Sequence, residues 1–283
     1  MENHHFGWLP SFLSLFSKNA FTTCGIPNDE MLRQIARRDW GEYADLALRA
    51  WACFSEGISK VVAANVDQYG PYRCGPTYPL LFDQKAADLH IPYVSWAWHK
   101  GGGIWNPVYP DPVFPDYENT LMRYGRVKAV KDRFRDGLEL LEKAGQALGA
   151  APGSEVSRQT AVARFLYCTY VTTEHVIGWT VAKQMLLLGM RNELPEGSDV
   201  LWDALGIADR TSEELVRFMR RTAGEETDNV MLALSCWEED SSIGFEASME
   251  YAFNDLTAAW KNEETKRSLE QLDSYLNEHK TDL

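Results

Sequence analysis

From about Ser154 to Gly189 the chain reads as one unbroken helix. Ala161, Phe165, Cys168, Val171, Val176, Trp179 and Met185 recur at the steps of three and four that gather side chains on one face. A helix this long buries its apolar stripe only against other elements, and the rest of the chain supplies helices. Pro27-Asn28-Asp29-Glu30 opens one, with acidic residues in the first turn, where the helix dipole favours them. From Trp40 to about Ala64 a second carries Ala47, Ala50, Trp51, Phe54 and Ile58 on its apolar face. Further helices are predicted over Tyr117 to Leu148, closed by Gly149 and Pro152, over about Ser212 to Trp237, and over about Leu256 to Asn277. A short apolar helix is expected at Gly7 to Phe21, and a frayed tail after Glu278. The pattern predicts an all-α, multi-helix array forming a single domain over residues 1–283.

One stretch breaks this texture. Residues 66–117 hold eight of the twelve prolines, the triple glycine Gly101-Gly102-Gly103 and eleven aromatic side chains. A chain without enough apolar surface stays disordered, and this aromatic content argues the other way. The segment therefore reads as one long ordered loop, and long ordered loops are usually functional.

Charge removes several function classes. The net charge is −13, and no basic stripe offsets it, so nucleic acid and anionic membrane surfaces would be repelled. No apolar run reaches the ~18 residues a membrane span needs. The five cysteines are odd in number, widely spaced and without a CxxC, which disfavours both a disulfide framework and a zinc site. A reducing compartment, the cytoplasm, is the expectation. His4-His5 point apart on a helix and make a poor metal pair, so no metal is expected. The triple glycine lacks a following Lys-Ser/Thr, so it is not a phosphate loop.

Three strings carry candidate chemistry. The first is Asp67-Gln68-Tyr69-Gly70-Pro71-Tyr72-Arg73-Cys74-Gly75-Pro76-Thr77-Tyr78-Pro79, in which two Gly-Pro steps fix sharp turns around a carboxylate, an amide, phenols and a guanidinium. Such groups recognise sugar hydroxyls and stack on sugar faces. The same string can equally be a rigid loop whose Asp67 and Arg73 pair with each other. The second is Glu238-Glu239-Asp240, running on through Gly244 to Tyr251. Glycosidases use two carboxyl groups about 5 to 9.5 Å apart, and this acidic turn supplies candidates. As a helix end it would be ordinary. The third is Thr172-Thr173-Glu174-His175, where Glu174 is placed to orient His175 and Trp179 shares its face, though a buried contact between helices is the commoner outcome.

His4-His5-Phe6-Gly7-Trp8, Asp67 to Pro79, and Asp240 to Tyr251 stand in an order and at distances that resemble the C-terminal helical region of large bacterial glycoside-hydrolase-like proteins. In those proteins a barrel precedes a helical domain, somewhat as in α-glucuronidases. The likeness spans nearly the whole chain, and the Asp-Gln-Tyr-Gly-Pro string is its most specific part. Three positions depart from the family pattern: Val66 stands in place of an acidic residue, Ser242 in place of Arg and Ala247 in place of Pro. Met1 stands just before the His-His string, so the resemblance implies that the main catalytic carboxylates of a barrel lie outside this chain.

Together these readings give a carbohydrate-active helical module that hydrolyses or binds a glycoside. The alternative is a non-catalytic structural or oligomerisation domain of a larger glycoside hydrolase. Asp67, Glu239 and Asp240 are the candidate catalytic carboxylates. Tyr69, Tyr72, Arg73, Tyr78, Trp98, Trp105 and His175 are the candidate sugar contacts. Acid–base cleavage of a glycoside needs no cofactor. The expected partners are carbohydrate, with a second copy or a preceding barrel domain as further possibilities.

Overall fold

In the computed structural model, residues 28–61, 75–83, 117–244 and 253–279 are described. They form helices α1 (Asn28–Trp40), α2 (Ala44–Ile58), α3 (Tyr117–Leu148), α4 (Glu155–Gly189), α5 (Asp199–Leu205), α6 (Ser212–Glu239) and α7 (Asp255–Glu278). No strand occurs among the described residues. The all-α class is therefore as the periodicity predicts. None of these helices is long and apolar enough to cross a membrane.

Helix ends follow local chemistry. Gly149 closes α3 at φ +61°, a backbone state glycine adopts without a Cβ penalty. Ser154 then caps α4, its side chain accepting the Ser157 N–H at 3.3 Å. Asn254 and Thr257 open α7 with a reciprocal capping box: Thr257 N donates to Asn254 Oδ1 at 3.0 Å, and Asn254 N donates to Thr257 Oγ1 at 2.8 Å.

The helices pack as a chain of neighbours, α2 on α3, α3 on α4, α4 on α6 and α6 on α7, with α1 against α2. Helix α4 is central and serves two cores. On one side Trp40, Phe54, Phe134, Leu141 and Tyr170 join α1, α2, α3 and α4. On the other, Phe165, Trp179, Met185, Leu215, Met219 and Phe253 join α4 to α6 and the chain before α7. A helix flanked on both sides is buried nearly all round, and α4 is so from Val176 to Leu186. The seven core positions predicted for it are all buried. Between α2 and α3 the backbones come close at Gly137, where an added Cβ would lie closer than 3.0 Å to three ring atoms of Phe54.

The short helix α5 was not foreseen, and α2 stops at Ile58 rather than near Ala64. The helix predicted at Gly7 to Phe21 and most of the aromatic segment lie outside the described residues.

Candidate functional site

The last residues of the first string are described, and they run through the interior. Gly75, Pro76, Thr77, Tyr78, Pro79 and Leu80 are all buried, the first three in a single 3-10 turn packed against α4, α6 and α7. An irregular segment has no ladder to satisfy its backbone, and a buried unpaired carbonyl is costly. Helical side chains do this work instead. Trp179 Nε1 of α4 donates to Leu81 O at 2.8 Å, and Lys183 Nζ, one turn on, donates to Phe82 O at 3.2 Å. From α7, Ser268 Oγ donates to Leu80 O at 2.7 Å, Lys261 Nζ donates to Tyr78 O, and Gln271 accepts from Asp83 N at 3.3 Å. Positions 179 and 183 share one face of α4, as 261 and 268 share one face of α7, because a helix repeats at four and seven residues. The segment 78–83 is thereby clamped between two helices.

Lys261 also reaches inward. Its ammonium, fully buried, donates to Glu226 Oε1 of α6 at 2.9 Å. Thr172 Oγ1 of α4 donates to the same oxygen at 2.6 Å, and Asn229 Nδ2 donates at 3.0 Å to both Thr172 Oγ1 and Cys168 O. The other carboxylate oxygen of Glu226 meets His175 Nδ1 at 2.7 Å. Burial pushes the Glu226 carboxyl up, but Lys261 and the His175 hydrogen bond outweigh it and bring the pKa down to about 2. The Lys261 pKa moves down, because burial outweighs its pairing with Glu226. An ionised Glu226 facing Nδ1 calls for a hydrogen on that nitrogen, which leaves Nε2 as the outward-facing one. His175 Nε2 lies 3.7 Å from Glu225 Oε2, at the wall of a surface hollow.

That hollow has a volume of about 210 Å³ and is walled by Tyr124, Lys131, Glu174, His175, Arg221 and Glu225, among others. Lys131 pairs with Glu174, and Arg221 lies 3.9 Å from Glu225. A second hollow of about 240 Å³, beside Gly206, Asp209, Glu214 and Arg217, shares Phe218 and Arg221 with the first. The Arg221 guanidinium sits 5.4 Å from the centre of the Phe218 ring. The two hollows lie side by side along α6, with Phe218 and Arg221 in the wall of each.

Glu239 and Asp240 lie elsewhere. Glu239, the last residue of α6, accepts from Gly153 N at 2.6 Å and Ser157 Oγ at 2.5 Å, and so holds the start of α4. The Gly153 amide first, and then the Ser157 hydroxyl, keep its carboxyl below the usual range. Asp240 Oδ1 accepts from Ser242 N at 3.1 Å and Ser242 Oγ at 2.7 Å, a local turn. Thirteen residues of α6 separate Glu226 from Glu239, roughly 20 Å at 1.5 Å per residue. The structure thus does not bring Glu239 and Asp240 to His175. Tyr78 is buried in the core built on α4 and α6. Asp67, Tyr69, Tyr72, Arg73, Trp98 and Trp105 lie outside the described residues.

Glu226, Lys261 and Asn229 are the residues that sequence reasoning missed, and Thr172, named in the third string, was given no role there. Glu174, placed in the sequence as the partner of His175, pairs with Lys131 instead, and Glu226 takes its role. One signal was present. On α6 the buried positions Leu215, Met219, Thr222, Glu226, Asn229 and Ala233 form one inward stripe, so Glu226 is a charge at a core register. Among the described residues no group of three or more His, Cys, Asp or Glu could hold a metal ion. Comparison with protein families, characterised proteins and solved structures finds no match to this chain.

Proposed function

We propose that this chain is a carbohydrate-handling helical module that presents the first part of the string, Asp67 to Arg73, to a glycoside. The observation that supports the reading is the clamp on residues 78–83: five hydrogen bonds with α4 and α7 fix the chain just after the Gly75-Pro76 turn. A recognition loop gains affinity when its ends are fixed before the ligand arrives, since less entropy is lost on binding. The string itself supplies a carboxylate, an amide, phenols and a guanidinium, which suit sugar hydroxyls and sugar faces. The likeness to the helical region of glycoside-hydrolase-like proteins points to the same substrate class. In the hydrolytic form of the reading, Asp67 is one of the two carboxyl groups the reaction needs.

The test is a panel of 4-nitrophenyl glycosides and polysaccharides, read by phenol release, by new reducing ends and by retardation in polysaccharide-loaded gels. Binding or cleavage of a panel member is expected. Asp67→Asn should abolish cleavage while leaving the thermal midpoint close to that of the parent. Full activity in that variant would remove Asp67 from the chemistry. Neither binding nor cleavage by the parent would end the carbohydrate reading and leave a structural or oligomerisation domain, whose mass in solution light scattering would report.

A further inference from the structure

The two hollows along α6 carry a second inference, which rests on the carbohydrate reading. We infer that the paired hollows on either side of Phe218 and Arg221 form a binding site for a neutral, disaccharide-sized sugar, with His175 as its fixed polar contact. Size is the first argument. The hollows, about 210 and 240 Å³, share a wall and together fall in the range of small-ligand sites, roughly 300–1,000 Å³. The second is charge. Lys128, Lys131, Arg217 and Arg221 line the hollows together with Glu174, Glu225, Asp209 and Glu214. The signs balance, in a chain whose net charge is −13. Lys131 pairs with Glu174, Arg217 with Glu214, and Arg221 lies 3.9 Å from Glu225, so an anion or a cation would have to compete with charges already paired. A hydroxyl both donates and accepts, so a polyol is satisfied by carboxylates and by ammonium or guanidinium groups alike.

The third argument is preorganisation. His175 is held in place: its Nδ1 lies 2.7 Å from Glu226, itself fixed by Thr172 and Lys261. Nε2 therefore meets a ligand in one orientation, at the outer end of a chain of hydrogen bonds that begins at Tyr78 O in the clamp. The fourth is the wall the hollows share: Arg221, 61% exposed, stands over the buried Phe218 ring and presents its guanidinium to both, a donor for sugar hydroxyls.

The experiment is calorimetric titration of the intact chain with cellobiose, maltose, xylobiose and lactose, and with inorganic phosphate as the anion arm. The variants are Arg221→Ala, whose side chain is 61% exposed, and His175→Gln. Saturable binding of at least one disaccharide is expected, weakened at least ~10-fold by each variant, as removing a hydrogen bond to a charged or fixed group implies. Circular dichroism would confirm that both variants keep the helical fold. Binding that survives both variants but is lost on Tyr69→Ala overturns the site at the hollows and leaves the carbohydrate reading standing. Binding of phosphate in preference to every sugar shows an anion site and overturns the inference. Binding of nothing overturns both.

Discussion

At the scale of single residues, the Glu226–Lys261 pair is the feature with the largest consequences. Both side chains are fully buried, so each is tolerable only because of the other and of Thr172, His175 and the Tyr78 carbonyl. Lys261→Met should leave a buried carboxylate short of its main partner and cost about 3–5 kcal/mol, measured by urea unfolding. The double variant Glu226→Leu with Lys261→Met should cost less than the two single changes together, because it leaves no unpaired charge. Equal additivity would show that the pair is not coupled. The pH dependence has a definite sign. The carboxyl of Glu226 titrates at about 2 in the fold, against an ordinary 4.5, so its contribution is present above 4.5 and is lost as pH falls towards 2. Acid titration followed by circular dichroism should show the parent losing stability in that window more steeply than the double variant. His175, chosen from the sequence as a sugar contact, does face a polar hollow, but its partner was unreadable because Glu226 lies 51 residues away in the chain.

At the scale of elements, the periodic pattern was the reliable guide, and its limits are physical. Helix α3 begins at Tyr117 and ends at Leu148 as the turn signals Gly149 and Pro152 imply, and α4 starts where Ser154 can cap it. Helix α5 spans only seven residues, too few for a repeat of 3.6 to stand out. Helix α7 runs where the sequence predicts it, but the role of its buried face is not legible there. Its buried face carries Lys261 and Ser268, which donate to the carbonyls of Tyr78 and Leu80, so it covers backbone as well as apolar side chains. A polar face that satisfies carbonyls looks, in sequence, like a solvated one. Close packing elsewhere gives a sharp expectation. Gly137→Ala gains about 1 kcal/mol of helix propensity, but its methyl meets the stiff ring of Phe54, which itself packs on Phe134 at 5.0 Å. Overpacking of this kind typically costs about 1–3 kcal/mol, so a net loss of stability is expected in thermal unfolding. At the other end of the bundle, Glu239→Ala removes the acceptor for Gly153 N and Ser157 Oγ. Amide hydrogen exchange should accelerate in the first turn of α4 and remain unchanged around His175, since the two sites are far apart along α6.

At the scale of the whole molecule, α4 is the shared wall of two cores, and a polar spine crosses the second of them. The spine runs from the clamped segment through Lys261 and Glu226 to His175 and ends at the hollows. Its two ends are the places where the carbohydrate reading puts ligand: the aromatic string that enters the clamp, and the charge-balanced hollows on α6. The most direct measurement of that reading is a glycan array probed with the intact chain at neutral pH. The account predicts retention on a subset of neutral oligosaccharides, displaced by the same free sugar in solution and reduced by Arg221→Ala. An array on which no glycan retains the protein above an equally acidic helical control would contradict it.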